Sequence, residues 1–150
     1  MSADTAATAR RIVEANMYMT LATADADGRP WASPVWYAPA GPTAFLWVSR
    51  PGTRHSSNIA ARPELAIVIF DSTVPVGGAE ALYMDARAAQ LSGDELEQAT
   101  EAYSERSQAC GAGVWETADV QAPGQFRLYR ATSSLQFVLG PHDERLPLTL

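Results

Sequence analysis

Apolar residues recur at helical spacing near the amino terminus, where Ala9, Ile12, Val13 and Met17 share one face. This predicts a short amphipathic helix over residues 5 to 17, with Asp4 or Thr5 able to cap its start. The period then shortens to that of β-structure. Tyr18 to Ala24 reads as a strand, and Asp25-Ala26-Asp27-Gly28 as a hairpin turn in which Gly28 supplies a positive φ. Trp31 to Tyr37 is the returning strand, Pro39 to Thr43 a second turn, and Ala44 to Ser49 a third strand rich in aromatic and β-branched residues. Pro51-Gly52 breaks that strand, Thr53 can cap a short helix, and Pro63 ends the helix at about Arg62. Leu65 to Phe70 is a nearly unbroken apolar run, which predicts a strand covered on both faces.

A loop over residues 71 to 79 leads to a fifth strand, Ala81 to Leu91. Ser92 with Glu95 forms a capping box ahead of Leu96, Ala99, Tyr103 and Cys110, predicting a helix over about 94 to 110 with Cys110 as a small core residue at its end. Phe126 to Ala131 and Leu135 to Leu139 make one bent strand or a hairpin, with a polar tail beyond Pro141. Six or seven strands, mostly in hairpins, with two longer helices predict one domain over residues 1–150. Its class is mainly β with flanking helices, built as a closed or partly closed antiparallel barrel.

The composition supports a packed core, with 47% hydrophobic and 19% charged residues. Residues 30 to 49 carry no charge, but Pro30, Pro34, Pro39 and Pro42 make them strand and turn rather than a membrane span. All eleven cations are arginine. The absence of lysine excludes a P-loop lysine, a Schiff-base lysine and a lysine general base. One cysteine and two histidines, His55 and His142, cannot build the common zinc sites, so no metal is expected. His142 beside Asp143 lacks the Gly-x-Ser-x-Gly elbow of a hydrolase triad. No apolar signal segment precedes Arg10 and Arg11, so the expected location is the cytoplasm.

The net charge of −6 argues against nucleic acid as a partner. Its distribution is more telling. From Gly28 to Pro63 there are four arginines (Arg29, Arg50, Arg54, Arg62) and His55 but no Asp or Glu. A contiguous segment free of anions is what a site for a small anionic ligand requires. Within it, the strand ending at Val48-Ser49 gives way to a helix starting at Thr53-Arg54-His55, and a helix start presents unpaired amides and partial positive charge to a phosphate. Arg50, Arg54 and His55 add charge, and the hydroxyls of Ser49, Thr53 and Ser56 add neutral donors.

The ordered set Leu21-Ala22-Thr23, Asp27-Gly28-Arg29-Pro30, Ser33-Pro34-Val35-Trp36-Tyr37, Phe45-Leu46-Trp47-Val48-Ser49 and Thr53-Arg54-His55-Ser56-Ser57-Asn58-Ile59 ahead of Arg62-Pro63 resembles the pyridoxamine 5'-phosphate oxidase-like flavin-binding family. The resemblance is good over about residues 18 to 71 and looser to 140. It implies a split β-barrel, a homodimer, and FMN lying at the dimer interface of an oxidoreductase. Backbone groups around Ser33, Pro34 and Val35 would face the isoalloxazine ring, Trp47, Val48 and Ser49 would flank the ribityl chain, and Arg50, Thr53, Arg54 and His55 would hold the phosphate. Trp115, Arg127 and Tyr129 are candidates for covering the ring from the partner.

The departures also count. The family often has lysine where His55 stands, and the vitamin B6 oxidases carry arginine where Ser33 stands and an arginine pair that has no counterpart after Ser133. The resemblance therefore implies a member with another substrate, with deazaflavin F420 as an alternative cofactor. A non-catalytic flavin- or haem-binding module, or a barrel whose ligand site has decayed, are the other readings.

Overall fold

The computed structural model describes residues 2–150. Helix α1 (Ser2–Ala15) opens the chain, followed by strands β1 (Tyr18–Ala24), β2 (Pro30–Trp36), β3 (Ala38–Pro39) and β4 (Ala44–Ser49), and then helix α2 (Arg54–Ala61). Strands β5 (Glu64–Phe70) and β6 (Ala81–Gln90) precede helix α3 (Gly93–Ala109), a 3-10 turn (Thr117–Val120), and strands β7 (Arg127–Leu139) and β8 (Arg145–Pro147). All eight strands form one antiparallel sheet in the order β2-β1-β5-β6-β7-β4-β3, with β8 on β7. The sheet curls until β2 lies against β4. This is a partly closed antiparallel barrel, as the strand count implied, and of the split type that the resemblance implied.

Alternation of side chains produces the two cores. Inward-facing Met19, Leu21, Phe45, Trp47, Ile67 and Leu82 fill the barrel with Ala9 and Ile12 of α1 and Ile59 of α2. On the outside, Leu46 and Leu128 meet Leu96, Ala99 and Tyr103 of α3. Each large apolar side chain buried this way contributes roughly 1.5–3 kcal/mol of transfer free energy. The first hairpin closes at Gly28, whose φ of 84° is open to glycine at little cost.

Five local expectations are corrected. The first helix starts at Ser2, so Asp4 lies in its first turn rather than at its cap; Met17, beyond its end, is 48% exposed. Strand β5 alternates: Leu65, Ile67 and Ile69 face the barrel while Ala66 and Phe70 stand in solvent, because an apolar run also fits a strand whose outer face no part of this chain covers. Ser92 is the cap residue of α3 but makes no side-chain cap bond. Glu95, expected to complete the box, is drawn instead to Arg130 at 3.1 Å. Cys110 is exposed at the helix end, since the buried face of α3 stops at Ser107. The supposed tail contains β8, where the two-residue spacing of Leu146 and Leu148 lets both pack on the barrel. Of the two arrangements expected for residues 126 to 139, the single strand is found, with a register irregularity opposite Asp85 and Ala86.

Candidate functional site

The corner between β4 and α2 is built by the break that Pro51 and Gly52 impose. Thr53 has extended backbone angles (φ −67°, ψ 155°), and its Oγ1 accepts from the Ser56 backbone N–H at 3.3 Å, which caps α2. The same hydroxyl lies 3.0 Å from the Arg50 carbonyl and 2.7 Å from Ser56 Oγ. No acidic residue occupies the first turn of α2, so its free amides and partial positive charge are uncompensated.

Helix α2 is held in place by buried Asn58, whose Nδ2 donates to Thr23 Oγ1 of β1 at 3.0 Å. Thr23 in turn donates to the Trp31 carbonyl of β2 at 3.4 Å. Trp31 also serves as a platform: the Arg54 guanidinium lies 4.3 Å from its ring centroid. Arg50 lies 5.3 Å from the Phe126 ring. Among the described residues neither arginine has a carboxylate partner. Two cations thus flank the corner, positioned by aromatic faces and with their charge unmatched.

His55 is buried, with Nε2 2.8 Å from Ser49 Oγ and 3.3 Å from Thr53 Oγ1. Burial pushes its pKa below the ordinary histidine value, which makes the imidazole neutral near pH 7. Its charge is therefore not a standing part of the corner.

The remaining predicted residues divide between the site and the core. Ser33 is half-buried and Pro34 exposed on β2, facing Leu21 and Thr20 of β1 in register, while the Val35 side chain is buried. Trp47 is fully buried and stacks on Tyr129 at 5.6 Å and 14°, with its Nε1 unpartnered. The Val48 side chain packs toward α3. Of these three β4 residues, only Ser49 contributes a side chain to the corner; Trp47 and Val48 can contribute backbone. Arg127 and Tyr129 sit directly across from Ser49 and Trp47 on β7 of the same chain. Arg127 donates to the carbonyls of Gly124 (2.5 Å) and Phe126 (2.6 Å), and the Tyr129 ring is buried. Trp115 packs edge-on against Tyr103 and Phe126. An open groove of about 460 Å³ runs between α2 and β6, lined by Pro51, Ser56, Ser57, Ala89, Gln90 and Tyr129.

Sequence reasoning noted Trp31 only among tryptophans bunched near the site, quoted Thr23 and Asn58 without a role, and did not single out Phe126. The arginine-aromatic pairs are far apart in sequence, and no local spacing announces them. Among the described residues no group of side chains could hold a metal ion, and no helix is long and apolar enough to cross a membrane.

Comparison with known proteins agrees with this architecture. The pyridoxamine 5'-phosphate oxidase family profile matches residues 5–134. No protein of curated function matches. Among solved structures, a haem-binding protein of Mycobacterium smegmatis is 23% identical with a TM-score of 0.76 over 96% of this chain, which spans only 57% of that protein. The haem storage protein HutZ of Vibrio cholerae is 23% identical (TM-score 0.68), with 86% of this chain and 90% of that one covered. A FAD-binding protein of Mesorhizobium loti is 22% identical (TM-score 0.67), with 89% and 90% covered. These likenesses establish a shared fold, and the profile match over most of the sequence establishes kinship: the chain belongs to the pyridoxamine 5'-phosphate oxidase family.

Proposed function

We infer that the protein binds a flavin nucleotide, FMN in the first instance, and acts as a flavin-dependent oxidoreductase. The observation that carries this reading is the corner itself. Among the described residues Arg50 and Arg54 have no carboxylate partner, the first turn of α2 has no acid, and the hydroxyls of Ser49 and Thr53 converge on the His55 ring there. This donor set suits a phosphate monoester. Strand β2 at half-buried Ser33 and exposed Pro34, joined to the corner through Trp31 and Arg54, lies where its backbone groups could meet the polar edge of a ring. A bound flavin supplies hydride or electron transfer, while these residues anchor and orient it. F420 carries a phosphate diester and is the variant reading of the same corner.

A second copy of the chain fits this reading. Met17, Tyr18, Trp31 and Phe70 are between 40% and 61% exposed. Such apolar surface is common at interfaces. In a homodimer this surface would be covered and the ring enclosed; sedimentation should then give twice the chain mass.

Arg54→Ala tests the reading. It should weaken FMN binding by about 1.5–3 kcal/mol, as for a hydrogen bond to a charged group, and leave riboflavin binding unchanged in a fluorescence titration. Equal effects on the two ligands would overturn the assignment of Arg54 to the phosphate. The neighbours described as haem-binding and haem-storing support a second reading, a non-catalytic carrier. Tight haem binding with no response to FMN would select it.

A further inference from the structure

The corner contains a hydroxyl whose direction a buried imidazole controls. His55 Nε2 is 2.8 Å from Ser49 Oγ. Thr53 Oγ1, at 3.3 Å, has alternative acceptors for its proton in the Arg50 carbonyl and Ser56 Oγ. In the neutral tautomer that carries its proton on Nδ1, Nε2 is an acceptor, the single proton of Ser49 points at it, and the corner is met by an oxygen lone pair that repels an anion. When both ring nitrogens are protonated, Nε2–H donates to Ser49. Its proton is then free to turn outward, and a positive charge stands behind it.

The surroundings decide which state the empty protein adopts. Arg50 and Arg54 lie on the same segment as His55, and Arg127 pairs in register with Ser49 on β7, which also carries the phenol of Tyr129. Of the strands packed on α2, β1 offers Thr23 and the exposed phenol of Tyr18, and β2 has no ionisable side chain. On β6, Asp85 and Arg87 are exposed on the face opposite buried Ala86 and Ala88, and Tyr83 is half-buried. Burial favours the neutral imidazole. A dianion placed in the corner reverses that balance.

Resting on the phosphate reading of the corner, we propose that His55 is a proton-linked positioning residue: binding of a phosphate monoester takes up a proton at His55 and converts Ser49 from an acceptor into a donor toward the anion. The depressed imidazole pKa is consistent with this arrangement.

The test follows the His55 imidazole by NMR in His142→Gln protein, where it is the only histidine, between pH 5 and pH 8, with and without saturating FMN. The titration midpoint should move to higher pH when FMN is bound, and riboflavin should leave it in place. In parallel, the FMN affinity of the natural protein relative to His55→Gln should grow about tenfold as pH falls across that range. Titration of the phosphate itself cancels in the ratio. If FMN still binds more tightly than riboflavin but the midpoint stays put and the ratio is flat, the proton linkage is wrong and the phosphate seat survives. If FMN binds no more tightly than riboflavin at any pH, the seat itself is wrong and the linkage falls with it.

Discussion

Removing the Asn58 side chain should loosen the scaffold that aims α2 at the corner. Asn58 is 4% exposed, and its amide donates to Thr23 Oγ1 at 3.0 Å, a side-chain bond that joins α2 to β1. Asn58→Ala loses a net hydrogen bond of about 0.5–1.5 kcal/mol and opens a small void, so a total near 2 kcal/mol is expected. In a chain of this size that corresponds to a fall in Tm of roughly 4–8 °C, or to a drop of about 1 M in the urea midpoint for a typical slope. Thr23→Val removes the acceptor and leaves a buried amide unpaired, costing about 1–3 kcal/mol. If the bond is formed, the two changes are not additive, and the double variant should recover about 1 kcal/mol of coupling. The measurement is urea denaturation of all four proteins at one protein concentration, because any association would add to stability. Strict additivity, or an Asn58→Ala cost below about 0.5 kcal/mol, would refute the bond as the anchor of α2.

Three further outcomes are expected. His55 has a pKa lowered by burial, so the unfolded chain binds its proton more readily; the stability of the neutral form is complete above the ordinary histidine value and lost as pH falls from there through the lower folded-state value. Between pH 7.5 and pH 5, His55→Gln should therefore lose less stability than the natural protein, and equal losses would contradict the burial argument. Tyr37 Oη lies 2.7 Å from the Val13 carbonyl and 3.0 Å from that of Asn16; Tyr37→Phe should cost about 0.5–1.5 kcal/mol and speed amide exchange at the end of α1. Cys110 should react with a thiol reagent in the folded protein at close to the rate of a free thiol, and Cys110→Ser should change stability by no more than about 0.5 kcal/mol.

Strands β1 and β4 fall on the residues that the sequence predicts, β1 with its buried positions alternating and β4 from its aromatic and β-branched content. The start of α2 was legible from Thr53, a cap residue placed after Pro-Gly. Other features have no local trace. Glu95 forsakes the cap of α3 for Arg130, a partner 35 residues away. The open outer face of β5 could not be distinguished from a covered one, since both accept the run Leu-Ala-Ile-Val-Ile-Phe. The inward turn of His55 depends on Ser49, six residues earlier and at the end of another element. Residue type announced the corner's positive character, whereas three-dimensional packing determined which charges are standing and which are latent.

The central claim is that the β4–α2 corner recognises a phosphate. Comparing the dissociation constants of FMN and riboflavin for the same preparation at pH 7 addresses it directly, because the two ligands differ only in that group. The account predicts that FMN binds at least about tenfold more tightly, the worth of one charge-assisted hydrogen bond. Equal constants would contradict it.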